Sequence, residues 1–244
     1  MEQGHDPISP AAAASALRWW ADAGVDVMVG EEPHDWLRSN EKTPPPHEVR
    51  AEPATPPGEP LPGQLDLFQA WLKDSDSLAF AAPSAPRICP SGDAASGLMI
   101  MTDMPAAEDC TSGSLLSGEV GRLFDRMLAA IGRDRTSIYL TSLSCLRSPT
   151  GIFNGESQSQ CATLARHHVG LVAPRALLLF GDTCGKALLG QSVMQGRGRW
   201  HELTTHAGPV PTLMTFHPDI LLDQPKFKAA AWADLQLLMQ GLNS

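Results

Sequence analysis

The chain of 244 residues has no apolar run long enough to cross a bilayer, since a spanning helix takes roughly 20 consecutive apolar residues. It also lacks any CxxC pair. Its five cysteines, Cys89, Cys110, Cys145, Cys161 and Cys184, are an odd number and widely spaced, which argues against both a disulfide framework and a standard zinc site. The eight histidines show no helical or hairpin ligand spacing; His167 and His168 are adjacent and point to different sides of any helix that carries them. Neither a GxGxxG nor a P-loop follows any apolar run, so a nucleotide-binding α/β protein is poorly supported. Basic charge is scarce as well. Lys and Arg number 18 against 27 Asp and Glu, for a net charge of −9, which opposes broad nonspecific affinity for nucleic acid but leaves room for a local basic groove. Much of the negative charge falls in the first 60 residues. The opening "MEQGHDPISPAAAASALRWW" has no basic n-region and does not read as a signal peptide. A soluble, cytoplasmic protein with no membrane partner is the expectation.

What is present is enough apolar residue, 43 %, for a real core. Residues 10–23, "PAAAASALRWWADA", predict a helix with Leu17, Trp19 and Trp20 available for an apolar stripe. Residues 43–62 hold eight prolines in twenty positions, a density that forbids a helix or a central strand and reads as a partly extended linker. The expected organisation is an N-terminal helical segment over 1–42, a proline-rich linker over 43–62, and one domain over 63–244. The tryptophan pair of the first segment can dock on that domain or on a partner protein.

Within the domain a helix is expected over 63–77, "GQLDLFQAWLKDSDS". From residue 97 the pattern alternates. "GLMIMTD", "SIYLTSL", "RALLLFG" and "VPTLMTF" read as strands. Between and after them, "LSGEVGRLFDRMLAAIG", "ESQSQCATLARHHVGLV", "DTCGKALLG" and "KFKAAAWADLQLLMQGL" read as helices. Gly132 sits where a C-cap is expected, and Asp182 starts the short helix after the third strand. Strands alternating with helices imply an α/β fold: three α/β/α layers around a central four-stranded parallel sheet. The carboxyl ends of such strands open on one edge, where α/β folds place their chemistry. Asp103, Ser142 and His217 therefore converge, although far apart in sequence.

Four stretches, in order, resemble the uracil-DNA glycosylase superfamily, most closely its bacterial and archaeal family-four type. "MTDMPAAED" stands where that family has Gly-Glu-Ala-Pro-Gly and then Glu-Asp. "GSLLSGEVGRLFDRMLAAIGRDRTSIYLTS" follows its pocket loop, long helix and second strand. "RGRW" and "TFHPDILL" are similar to its late Arg-Gly and His-Pro motifs. The resemblance covers about residues 97–241. It implies hydrolysis of the N-glycosidic bond of uracil, or another deaminated base, in DNA during base-excision repair, with the target nucleotide turned out of the stack.

By the same resemblance, Asp103 stands at the acidic position that orients water or steadies the sugar cation. His217 donates to the departing base oxygen. Leu116, Ser142 and Pro105 stand in the base pocket, with Leu116 where a stacking phenylalanine is usual and Ser142 where an asparagine reads the uracil edge. Arg147, Arg197 and Arg199 are candidates for DNA phosphates, Pro218 for fixing the His217 loop, and Leu221 in "DILL" for an apolar wedge into the base stack. Asp223 follows where arginine is usual. Cys145 and Cys161 match two of four iron–sulfur ligands; the other two are missing, so no cofactor or metal is expected, the alternative being a 4Fe-4S cluster in which Cys89 or Cys110 substitutes.

Each residue also has a plainer reading. Asp103 can cap a turn, Leu116 and Ser142 can be ordinary loop and strand-end residues, the arginines can be solvated charges, and His217 can be held by backbone hydrogen bonds. Serine cannot reproduce a bidentate amide contact, and each such pair is worth about 1–3 kcal/mol of discrimination. The expectation is thus a glycosylase of altered or broadened base preference, or a catalytically weak relative that binds DNA or a repair partner.

Overall fold

The computed structural model describes residues 61–243. The expected helix over 10–23 and nearly all of the linker lie outside the described residues. Helix α1 (Leu65–Asp74) leads into a two-stranded start. Strand β1 (Ser91–Gly92) and β2 (Leu98–Thr102) are followed by α2 (Ala107–Ser112), α3 (Gly118–Ala130) and β3 (Tyr139–Ser142). Then come α4 (Gly155–Val172), β4 (Ala176–Phe180), α5 (Gly181–Leu189), α6 (Val193–Gly196), β5 (His201–Thr205), β6 (Gly208–Thr215), α7 (Pro218–Asp223) and α8 (Lys228–Asn243).

The sheet runs β1-β3-β2-β4-β6-β5. Its middle four strands are parallel, as the alternation of elements predicts. Both edges carry an unexpected antiparallel strand: β1 against β3, and β5 against β6 through a hairpin at His206-Ala207. The reason is visible in the burial. Strands β2 and β4 are buried along their whole length, because helices cover both faces of a parallel sheet. Strand β5 alternates between buried and open positions, a weak signal in five residues, and β1 is only two residues long.

Strand alternation sends side chains to two cores. Met99, Met101, Leu177, Leu179 and Met214 pack with Cys161, Ala165 and Val169 of α4 and with Cys184 and Leu188 of α5. Leu98, Ile100, Leu140, Leu178 and Phe180 pack with Phe124 and Leu128 of α3 and with Leu235 and Leu238 of α8. Three layers result. Gly132 adopts φ +70° just past α3 and closes it with a bond from its N–H to Ala129, as expected of a C-cap glycine. Asp182 does not cap α5; it lies inside the first turn and accepts from the N–H of Val193, tying α5 to α6.

A third, smaller core holds α1 against α4: Phe68, Leu72, Leu78, Cys145 and Leu146. Phe68 faces Trp71, His167 and His168 at ring separations of 5.8, 5.2 and 5.2 Å. The Tyr139 hydroxyl accepts from Gln69 of α1 at 2.7 Å and bonds His168 Nε2 at 2.9 Å. Three elements are knotted by one phenol. Burial, with a smaller contribution from His167, pulls the His168 pKa down to about 3, so it stays neutral while an unfolded chain protonates near 6.5. Stability is therefore full above about pH 6.5 and falls toward pH 3, by about 1.4 kcal/mol per pH unit from this residue. Denaturant melts across that range should show this slope, and His168→Gln should remove it.

Candidate functional site

In this topology β2 sends the chain to β3 on one side through α3, and α4 carries it back to β4 on the other. The crevice outside the carboxyl ends of β2 and β4 is thus a topological switch point, the place where open α/β sheets bind ligands. A cleft of about 250 Å³ opens there, lined by Asp103, Met104, Ile152, Phe153, Asp182 and Lys186 among others.

His217 reaches the same edge of the sheet from β6, beside this cleft and outside its lining. It has extended backbone angles, as the residue before a proline must, and Pro218 opens α7, where its missing N–H costs nothing. The His-Pro pair thereby ends a strand and starts a helix within two residues. The imidazole passes over the end of β4: its Cβ is 3.4 Å from where a side chain on Gly181 would begin, and Gly181 has φ +82°. Its Nε2 then meets the buried Thr102 hydroxyl at the end of β2, 2.9 Å away. On the other side Nδ1 hydrogen-bonds the Asp219 carboxylate. Thr102 donates in turn to Asp103 at 3.4 Å. The order Asp219–His217–Thr102–Asp103 is a single polar chain along the sheet edge; Nδ1 donates to the Asp219 carboxylate when it carries a proton and accepts from the Asp219 N–H at 3.3 Å when it does not.

Burial pulls the His217 pKa down, but the Asp219 hydrogen bond and the charges of Asp219, Asp103 and Asp109 outweigh it. The net direction is upward. Asp103 keeps its turn role too, accepting from the Met104 N–H at 2.8 Å.

Other expected residues are placed differently. Ser142 lies beside Thr102 in the sheet register, but its hydroxyl is buried with no hydrogen-bond partner, and the residue lines a separate cavity with Cys145, Cys161 and His168. Leu116 is 3 % exposed and belongs to the core with Phe124 and Phe180; it is not an open stacking platform. Its φ of +51° is costly for a leucine and is held by Arg135, which donates to the carbonyls of Leu115 and Leu116 at 2.8 and 2.6 Å. Pro105 is buried, and its carbonyl accepts from Arg147 at 3.1 Å. The loop between them closes on Asp109, whose carboxylate accepts from Ser117 N, Ser117 Oγ and Ala106 N at 2.7, 2.6 and 3.0 Å.

Two of the expected DNA contacts are corrected. Arg197 forms a bidentate pair with Asp234, which is 0 % exposed, at 3.0 and 3.1 Å. It also donates to Ala230 at 2.6 Å and lies 5.5 Å over the Phe216 ring. Its fork is committed to the fold. Leu221 is 2 % exposed and packs in the α4–α5 core, because "DILL" folds as α7 and turns that leucine inward. Pro218 is buried as the start of that helix. Arg147 and Arg199 remain exposed, Arg199 donating only to Gln191 and the Gln195 carbonyl; Asp223 is exposed as well. Sequence reasoning gave no role to Thr102, Asp219, Asp109 or Arg135, although Asp219 stands two residues from His217 and Thr102 and Asp109 lie in "MTDMPAAED".

A family model of the uracil DNA glycosylase superfamily matches residues 89–236, a span holding the whole polar chain. The chain belongs to this superfamily. It is also similar to the type-4 uracil-DNA glycosylase of Pyrobaculum aerophilum, 23 % identical over 184 residues that cover 72 % of this chain and 94 % of that protein. Membership brings DNA repair by a glycosylase-like hydrolase and a DNA substrate. No helix among the described residues is long and apolar enough to cross a membrane.

The four-iron cluster implied by the family-four resemblance meets a poor donor set here. Burial pushes the thiols of Cys145 and Cys161 up to about 12 and about 11, against the thiolate form a cluster needs. The cavity beside them is about 30 Å³, room for about one water. Among the described residues no three His, Cys, Asp or Glu gather as ligands, and the sequence has no cysteine before Cys89. The residues present do not fit a cluster.

Two outcomes follow from these placements. Arg197→Met strands a buried carboxylate and should cost about 3–5 kcal/mol in denaturant melts, while leaving the salt dependence of DNA binding unchanged. Protein expressed with ample iron and sulfide should purify colourless; stoichiometric iron would reverse the reading of Cys145 and Cys161.

Proposed function

We propose that this protein is a DNA N-glycosylase that releases uracil or another deaminated base from a nucleotide turned out of the DNA. One observation carries the reading: the Asp219–His217–Thr102–Asp103 chain spans the switch-point crevice inside the matched family region. As the glycosidic bond breaks, positive charge grows on the sugar and negative charge on the base. His217 can rotate its Nε2–H from Thr102 to the departing base oxygen, with Asp219 holding the ring from behind. Preorganised donors of this kind act where charge develops. Asp103 orients the attacking water and steadies the sugar cation. Asp219 is a positioning residue, since it acts through the imidazole.

Base selectivity is the weaker half. Ser142 lines a separate buried cavity instead of the cleft, and Leu116 is packed into the core. Both favour a broadened preference over strict uracil reading. The same two placements, with three carboxylates around His217, support the second reading: a weak or inactive relative that binds DNA or a repair partner.

Single-stranded oligonucleotides carrying one uracil, hypoxanthine or xanthine, treated with alkali after incubation, separate the two. Scission by wild type that drops about 10²–10³-fold in His217→Ala is expected for the enzyme; binding without scission for any base selects the second reading. Because the active His217 is protonated and its pKa is raised, the rate should hold through pH 6.5 and fall at higher pH, one proton per molecule. Asp219→Asn should shift that fall to lower pH. An unmoved pH profile would remove Asp219 from the mechanism.

A further inference from the structure

Asp182, Thr183 and Lys186 stand at i, i+1 and i+4 along α5, a spacing that puts them on one face of the helix. That face lines the same cleft as Asp103, while Cys184 and Leu188 turn the opposite face into the core. The helix is fixed against the end of β2. The Cys184 thiol donates to the Met101 carbonyl at 3.7 Å. Burial first, and then the charge of Asp103, push that thiol's pKa well up, which sets the Asp103 carboxylate close to α5. Arg166 holds the other end of the helix, donating to the Ala187 and Leu188 carbonyls at 3.1 and 3.2 Å. Lys186 thus stands on a rigid support. Among the described residues that line the cleft, it carries the only amine.

The plain reading of Lys186 is half of an ion pair on a helix surface. Its Nζ is 3.4 Å from Asp182 Oδ2, and both side chains are more than half exposed. A pair so solvated contributes little to stability. Asp182 is held without it, because its other oxygen accepts from the Val193 N–H at 2.7 Å. The carboxylate stays in place when the lysine leaves, so the amine is available to a ligand in the cleft. The chemistry of the site supplies one. Removing a base from DNA leaves a deoxyribose whose C1′ opens to an aldehyde, and lysine amines condense with carbonyl groups.

We propose that the cleft has a second activity, in which Lys186 cuts the DNA strand at the abasic sugar left by base release. The Lys186 ammonium gives a proton to Asp182 beside it. The freed nitrogen lone pair bonds to C1′ of the open aldehyde. Asp182 returns the proton to the departing hydroxyl, and loss of water leaves a protonated imine. The imine draws electrons from C2′, whose proton passes to Asp103. A C2′–C3′ double bond forms as the C3′–oxygen bond breaks, and that electron pair departs with the 3′ phosphate. Water then hydrolyses the imine and returns the ammonium. The sequence is redox-neutral and consumes only water. It rests on the glycosylase reading solely for the supply of the abasic sugar.

The test uses the full chain and an oligonucleotide carrying one preformed abasic site. Wild type should cleave that strand without alkali. With borohydride present, which reduces the imine, it should instead form a protein–DNA adduct that survives denaturing electrophoresis. Lys186→Arg keeps the charge, but a guanidinium does not form the imine. Scission and adduct should both fall at least about 10²-fold in this variant, relative to its base release from uracil measured with alkali. Adduct and scission undiminished in Lys186→Arg assign the chemistry to another amine and overturn the proposal. Base release from the uracil strand, with the abasic strand left whole and unattached, also overturns it and leaves the glycosylase reading standing. Scission and a Lys186-dependent adduct without any base release support the proposal and end the glycosylase reading.

Discussion

A hydrogen bond between His217 Nε2 and the Thr102 hydroxyl joins the end of β6 to the end of β2 across the end of β4. That reach runs past Gly181, just after β4, whose Cβ position would lie 3.4 Å from the His217 Cβ, an ordinary van der Waals contact. It requires the parallel register that brings Thr102, Phe180 and Thr215 to one edge. Thr102 hands the interaction to Asp103, Asp219 fixes the ring, and the summed carboxylate charge raises the imidazole pKa.

The surrounding structure keeps that edge stiff by burying charge and polarity in pairs. Asp109 folds the loop before α3 onto itself with three hydrogen bonds. Arg135, in the loop after α3, holds Leu116 in a left-handed conformation. Arg197 and Asp234 lock α8 beneath Phe216, one residue from His217. Arg135 and Arg197, suited to phosphates by their chemistry, are here used as internal struts. Exposed cations remain among the described residues, Arg147 and Arg199 together with Lys186 at the cleft. At a net charge of −9, affinity for DNA has to rest on a local cluster of such groups.

Where the family-four resemblance implies a metal cluster, α1 is instead attached by Phe68 between two histidines and by the Tyr139 hydroxyl between Gln69 and His168. This junction is apolar, with one satisfied polar thread. Such a thread specifies a single docking geometry, because every alternative leaves a buried hydroxyl or imidazole unpaired.

The residue order alone determined the parallel core: "LMIMT" and "ALLLF" are continuous apolar runs because both faces of those strands are covered, and that pattern survives without any structure. It also placed Asp103 and His217 together, since strand ends of a parallel sheet share an edge. The edge strands escaped it; two residues, or five that alternate, carry too little periodicity. Side-chain roles were decided by tertiary structure, for a physical reason. Whether Arg197 is a strut or a phosphate contact depends on Asp234, 37 residues away. Whether Leu221 meets solvent depends on which helix face packs. Burial is a property of partners, and those partners are brought together only by the fold.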